Sequence, residues 1–236
     1  NPTVADSKTT NGSDIGTFAD TLSGLLPVTT YYVRAYATNG IGTGYGQERS
    51  FTTAASLPVV STSAVIMVTD SSALSGGNLL DNGGASVTAR GIVWSTTPNP
   101  TLSNNSSNDG SGTGVFVSNL TELNPVTTYY VRAYATNAVG TAYGQQVSFA
   151  TPAALPRVTS LEITGISDSS LTGGGNVLSD GGSAIIERGL VWGLYPNPTI
   201  DTMQVNAAST GTGSYTTTLI GLNPVTTYYI RAFATN

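Results

Sequence analysis

The side chains best equipped for specific contact in this chain are Tyr130, Arg132 and Tyr134, which alternate along one extended run. The same stripe stands at Tyr32, Arg34 and Tyr36, and again at Tyr229, Arg231 and Phe233. Residues two apart in a strand share a face, so each triplet sets two flat rings around a guanidinium. Such a face can stack on sugar rings or on a partner protein. The same groups can instead brace the sheet, with the arginine held against an aromatic ring by cation–π attraction. Recurrence in every copy suits the brace at least as well as binding.

Nothing else in the chain is arranged for catalysis. There is no histidine and no cysteine, which removes the commonest general base, thiol nucleophiles, thiolate metal sites and disulfides. Glu122, Glu162 and Glu187 lie in separate segments and form no recurring carboxylate pair, and no glycine-rich phosphate loop opens a helix. The expectation is a protein that is not an enzyme, with no catalytic residue and no cofactor. Asp81 with Asn82, Asp180, Asn108 with Asp109, Asp70 and Asp168 are the oxygen-bearing turns on which Ca²⁺ would have to draw. Asp and Asn before Gly are already explained by turn geometry.

Charge narrows the partners. The net charge is −5, the isoelectric point is near 4.4, and Lys8 is the only lysine. A basic patch for nucleic acid or for an anionic membrane surface is therefore lacking. No apolar run reaches the roughly 18 to 20 residues that span a bilayer, so no insertion of this segment is expected. Apolar residues at 39% suffice for cores of sandwich size, while charged residues are only 9%, well below the usual quarter. Thr, Ser, Asn and Gly must keep the surface wet.

The elements that position the stripe repeat with it. LLPVTTYYVRAYATN ends at Asn39, LNPVTTYYVRAYATN at Asn137 and LNPVTTYYIRAFATN at Asn236. Tyr31 and Tyr129 are 98 residues apart, Tyr129 and Tyr228 are 99. A period of that length is one small domain, so the chain reads as a tandem array. Residues 1–58 are the C-terminal half of a repeat, 59–156 a complete repeat, and 157–236 a repeat lacking its last strand. Asn1 aligns with Asn99 and Asn197, inside a repeat, so a missing targeting signal is uninformative here. The linkers Ala54–Pro58 and Pro152–Pro156 are short and rich in proline and small residues, which limits hinge freedom.

Within the complete repeat every signal is β. Alternating or β-branched runs predict strands at Val59–Ser61 with Ala64–Thr69 as one kinked edge strand, Ala73–Leu80, Val87–Ser95, Gly114–Leu120, Thr128–Thr136 and Gln145–Thr151. Gly, Asn, Asp and Pro clusters separate them at the spacing of a sandwich. Trp94 and Trp192 are core if Ile92 faces inward and exposed if Val93 does; large rings in sandwiches are usually core.

Leu123-x-Pro125-x-Thr127-x-Tyr129, followed by Val131, Ala133, Ala135 and Asn137 at alternate positions, resembles the E–F corner and F strand of fibronectin type III domains. The resemblance implies a fibronectin-like, immunoglobulin-like β-sandwich in which Tyr31, Tyr129 and Tyr228 are tyrosine corners. Their rings would enter the core and their hydroxyls return to backbone upstream. The tryptophan on the third strand, rather than the second, is closer to immunoglobulin-like domains. Across all 236 residues the GGN, NGG or DGG, RGIVW or RGLVW, NPT and GTG style is similar to tandem surface modules of large secreted Bacteroidota adhesins. That resemblance implies O-glycosylation at Thr21 and Thr202, in the Asp-Thr-aliphatic triplets Asp20–Leu22 and Asp201–Met203.

The function these features imply is a structural or adhesive stalk segment of a large extracellular repeat protein, secreted or at the cell surface. It would space or display other domains, with neighbouring repeats of the chain as its constant partners and a surface glycan or protein as a further one. Two alternatives stand beside it. One is a carbohydrate-binding array, which requires the Tyr-Arg-Tyr face to be exposed. The other is a polymer subunit whose open sandwiches are completed by strands from a neighbour.

Overall fold

A computed structural model of the chain describes residues 1–236 and contains strands, turns and no helix. The first repeat supplies β1 (Thr30–Val33), β2 (Tyr36–Thr38), β3 (Thr43–Tyr45) and β4 (Arg49–Thr52). The middle repeat supplies β5 (Val59–Thr62), β6 (Ala73–Asp81), β7 (Ala89–Ser95), β8 (Asn105–Ser106), β9 (Gly114–Leu120), β10 (Thr128–Thr136), β11 (Thr141–Tyr143) and β12 (Val147–Ala150). The third supplies β13 (Arg157–Ser160), β14 (Ser170–Ser179), β15 (Glu187–Gly193), β16 (Met203–Asn206), β17 (Gly213–Ile220) and β18 (Tyr229–Thr235).

These strands form two compact units. One comprises Asn1–Ala64, Ser75–Ser118 and Tyr130–Val147; the other comprises Val65–Leu74, Asn119–Tyr129 and Ser148–Asn236. The division falls inside the middle repeat, so each unit holds part of it together with a flanking repeat.

In the middle repeat one sheet runs β5-β6-β9 and the other β11-β10-β7-β8, with β12 also on β10. The third repeat repeats the plan as β13-β14-β17 and β16-β15-β18. This is the fibronectin-like sandwich expected from the sequence, all antiparallel and tandem. Alternation decides what each sheet buries. Val131 stands opposite Trp94 and Ala133 opposite Ile92, and all four are buried, so the tryptophan faces the core. In the third repeat Leu171, Leu190 and Leu219 form the centre, with Trp192 and Ile230 packed against them. Each such leucine contributes roughly 1.5 to 3 kcal/mol by leaving water.

The GGN motif is explained by closeness. A Cβ at Gly77 would sit 2.7 Å from Ala133 Cβ, and one at Gly175 would sit 2.5 Å from Ala232 Cβ. The two sheets therefore approach at a point where only glycine fits, which pulls the facing strands together.

Three local expectations change. Ala64–Thr69 is no strand but a single bridge, Ile66 to Leu74, and Met67 beside it takes a positive φ of 50° that breaks extended backbone. The run Gln145–Thr151 shortens to β12, because β11 forms ahead of it and Gly144–Gln146 lies between them. Asn105–Ser106, polar and without any alternating pattern, becomes β8 by pairing with Trp94 and Val93.

Candidate functional site

The corner at the base of each F strand is built three times over. Tyr31 Oη accepts from Leu26 N at 2.9 Å, Tyr129 Oη from Asn124 N at 2.9 Å, and Tyr228 Oη from Asn223 N at 3.1 Å. In the first two repeats a phenylalanine from the last strand stacks on the ring, Phe51 at 5.9 Å from Tyr31 and Phe149 at 5.7 Å from Tyr129. A threonine two residues later completes the lock. Thr53 Oγ1 accepts from Thr29 N and donates to Leu26 O, and Thr151 Oγ1 does the same with Thr127 N and Asn124 O.

The opposite face of that strand carries the Tyr-Arg-Tyr stripe, and in the first two repeats its arginine and second tyrosine are covered. Arg132 Nε donates to Gly144 O at 3.0 Å and its guanidinium lies 4.7 Å over Tyr143; Arg34 repeats both contacts with Gly46 O and Tyr45. Tyr134 Oη donates to Ser107 O at 2.8 Å, and Tyr36 Oη to Thr9 O at 2.7 Å. Tyr143 and Tyr45 accept in turn from Leu102 N and Val4 N, each at 3.1 Å. The loop after the NPT segment is thus stapled down over the stripe. Tyr134, expected on the outward face, is 3% exposed, and Phe233 is 8% exposed. Alternation gave the right face but not the loop that folds over it. Tyr32 and Tyr229 remain exposed, Tyr130 is half-buried and Arg231 is exposed.

Electrostatics under this loop follow from burial. Burial raises the Tyr134 hydroxyl above the usual phenol range, and the Asp109 carboxylate and Tyr143 push it the same way. Asp109 itself accepts from Ser107 Oγ at 2.8 Å and from Ser118 Oγ. The other acidic turns spend their oxygens locally. Asp81 takes Gly83 N, Asn82 takes Gly84 N, Asn108 takes Gly110 N, and Asp180 takes Gly182 N. Asp70 and Asp168 accept from Ser71 and Ser169, and no three acidic groups converge. Thr21 and Thr202 are both exposed, and Thr202 Oγ1 donates to Thr199 O.

Two residues with clear structural roles escaped the sequence reading. Arg188 is 5% exposed, donates to Ser209 O, Gly211 O, Thr212 O and Gly213 O, and lies 4.9 Å over Tyr215. Arg90 grips Gly112 O, Thr113 O and Gly114 O and lies over Phe116. A buried guanidinium is tolerated because carbonyls and a ring face replace its water. The recurring Arg-Gly pair ahead of each tryptophan was the available signal.

The feature with the clearest mechanical meaning is the joint between repeats. Asn137 ends the F strand, is 4% exposed, and donates from Nδ2 to Ser56 O at 2.7 Å and to Asn82 O at 2.9 Å. Asn236 does the same to Ala154 O at 2.8 Å and Asp180 O at 2.6 Å. One side chain therefore ties the incoming linker to the NGG or DGG turn. The linker also pairs with that turn, since Ser56 N donates to Gly83 O and Ala154 N to Gly181 O, both at 2.8 Å. Gly83 and Gly181 have φ of 70° and 72°, and a Cβ there would lie 2.2 Å from Ser56 O and 2.0 Å from Ala154 O.

The preceding repeat reaches into the same turn. Val28 and Val126 take φ of 47° and 48°, a conformation that β-branched residues rarely adopt. Their side chains press on the second glycine of the turn: Val28 Cγ2 is 2.4 Å from where a Gly84 Cβ would be, and Val126 Cγ2 is 2.5 Å from a Gly182 Cβ. Both joints use the same parts, and each lies inside one compact unit.

No protein-family model matches the chain, and no curated protein matches it. Solved structures do. The FN1–FN3 domains of chicken CNTN1 are 18% identical, with a TM-score of 0.34, over 90% of this chain and 71% of that one. Domains d3–d4 of the rat CD45 extracellular region are 18% identical, with a TM-score of 0.40, over 64% of this chain and 78% of that one. The sensor domain of the anti-sigma factor RsgI4 from Pseudobacteroides cellulosolvens is 17% identical, with a TM-score of 0.32, over 41% of this chain and 96% of that domain. The strand order and the tyrosine corners define the fold independently of these likenesses.

Proposed function

We propose that this chain is a spacer: a stalk or fibre segment of an extracellular repeat protein that holds other domains away from the cell surface. The observation that carries this reading is the joint, built from the same Asn, Gly-Gly turn and positive-φ Val at both junctions. A tether needs no such parts; a spacer that resists bending does, because each hinge must be held by local contacts. The aromatic stripe fits the same role. In the first two repeats its arginine is spent on a neighbouring tyrosine and carbonyl and its second aromatic on the covering loop, which favours a bracing role there over a sugar-stacking platform. O-glycosylation at Thr21 and Thr202 and attachment to an adhesin-like parent belong to this proposal.

The test is location and occupancy together. Antibodies raised against residues 59–156 should label intact cells of the source organism, and the purified chain should bind no member of a broad glycan panel. Labelling confined to lysed cells, or saturable glycan binding lost in a Tyr130→Ala variant, contradicts the proposal.

A further inference from the structure

The glycine turn of the first joint contains an asparagine able to react with its own backbone. Asn82 is followed by Gly83, so no Cβ stands between the carboxamide and the next main-chain nitrogen. Gly83 N can attack Asn82 Cγ. The N–Cγ bond forms as the Cγ–Nδ2 bond breaks, ammonia leaves with the amide proton, and a five-membered imide remains. Water then opens the imide at Cγ to give aspartate, or at the main-chain carbonyl to give isoaspartate, which lengthens the backbone by a methylene. Water is the only co-reactant, and Asn82 is exposed to it.

The closed joint blocks the first step. Gly83 is buried, its N donates to Asp81 Oδ1 at 2.8 Å, and its O accepts from Ser56 N at 2.8 Å. The Asn82 main-chain carbonyl accepts from Asn137 Nδ2 at 2.9 Å, and Asn82 Oδ1 from Gly84 N at 2.8 Å. The Asn82–Gly83 peptide is thus tied on both sides, with its nitrogen engaged by Asp81. Attack on Cγ requires that nitrogen to leave Asp81 and the peptide to rotate, which strains the ties to Asn137 and Ser56 together.

The second joint uses the same turn with Ser179 and Asp180 in place of Asp81 and Asn82. Gly181 N donates to Ser179 Oγ at 3.1 Å and Gly182 N to Asp180 Oδ1 at 2.9 Å. Each turn therefore holds one carboxylate, and the second has no amide to lose. Conversion of Asn82 would set two carboxylates side by side in the first turn or lengthen its backbone, and either change weakens the clasp.

We propose that Asn82 is a self-modification site gated by the first joint. It is sealed while the joint is closed, and it converts to aspartate or isoaspartate through openings, after which the joint is looser than before. This gating rests on the joint geometry that carries the spacer reading.

The test incubates the whole chain at mildly alkaline pH, with and without denaturing urea. Conversion is read by mass spectrometry of the tryptic peptide between Arg49 and Arg90, localised to Asn82 by fragmentation. Asn11–Gly12, outside the joint, is the internal reference, and hydrogen exchange of the Ser56 amide reports whether the joint is closed. Asn82 should convert at least about tenfold more slowly in the folded chain than in the unfolded one. Asn137→Ala should raise the folded rate several-fold and leave Asn11 unchanged. Urea below the unfolding transition should do the same in the parent, which keeps the test decisive if that variant does not fold. Equal folded and unfolded rates with a slowly exchanging Ser56 amide would overturn the gating and leave the joint standing; equal rates with a fast-exchanging amide would overturn both. An Asn82 rate indifferent to Asn137→Ala and to mild urea, or no conversion even in the unfolded chain, also overturns the gating.

Discussion

Replacing Asn137 by alanine should destabilise the first compact unit well beyond the cost of the same change at Asn39. The two asparagines end equivalent strands and both use Oδ1 to close the following turn. Asn39 accepts from Ile41 N and Gly42 N, and Asn137 from Val139 N and Gly140 N. Only Asn137 also donates to a linker carbonyl and to the next turn, at Ser56 O and Asn82 O. Each ordinary hydrogen bond contributes about 1 kcal/mol net, and a buried carbonyl left without a donor costs somewhat more. The turn-closing pair then accounts for about 1 to 2 kcal/mol in either variant, and the clasp adds about 2 kcal/mol for Asn137→Ala alone. Asn137→Asp should be at least as damaging, because it keeps the acceptor but sets a carboxylate against two carbonyl oxygens. Equilibrium urea unfolding in a Trp192→Phe background, followed by the buried Trp94, measures the difference. Costs for Asn137→Ala and Asn39→Ala that agree within about 0.5 kcal/mol would refute the clasp.

Three further outcomes follow from the same geometry. Gly181→Ala places a Cβ 2.0 Å from Ala154 O at a φ of 72° and should cost several kcal/mol, whereas Gly211→Ala, at a φ of 95° with open space, should cost only about 1 kcal/mol; thermal melts separate them. Arg188→Lys keeps the charge but cannot reach the same fan of carbonyls, so it should lose about 2 to 4 kcal/mol by urea titration and expose the 211–213 loop to proteolysis. Tyr134 is held neutral in the folded chain, so the stability it adds is complete below the ordinary tyrosine pKa and is lost as pH rises through its raised folded value. Unfolding midpoints measured from neutral pH into the alkaline range should fall less steeply in Tyr134→Phe than in the parent.

Much of the architecture was legible because it repeats. The Leu-Pro-Thr-Tyr spacing located the corner, alternation placed Val131 and Ala133 inward, and turn residues separated most strands correctly. What stayed hidden has a common cause: it is made by backbone brought close from elsewhere. β8 is strand only because Val93 and Trp94 offer it an edge. Tyr134 is buried because a loop some thirty residues upstream lies across it. Arg90 and Arg188 are held by carbonyls, which no side-chain pattern announces. Val28, Val126 and Val225 adopt a backbone that their β-branching argues against, and only the glycine turn they meet explains two of them.

The central claim is that the joints are rigid, and amide ¹⁵N relaxation tests it most directly at the Ala54–Pro58 linker. The account predicts one rotational correlation time for residues 30–52 of the first repeat and 89–95 of the middle repeat. Faster, independent tumbling of residues 30–52 would contradict it and leave the chain a string of loosely tethered modules.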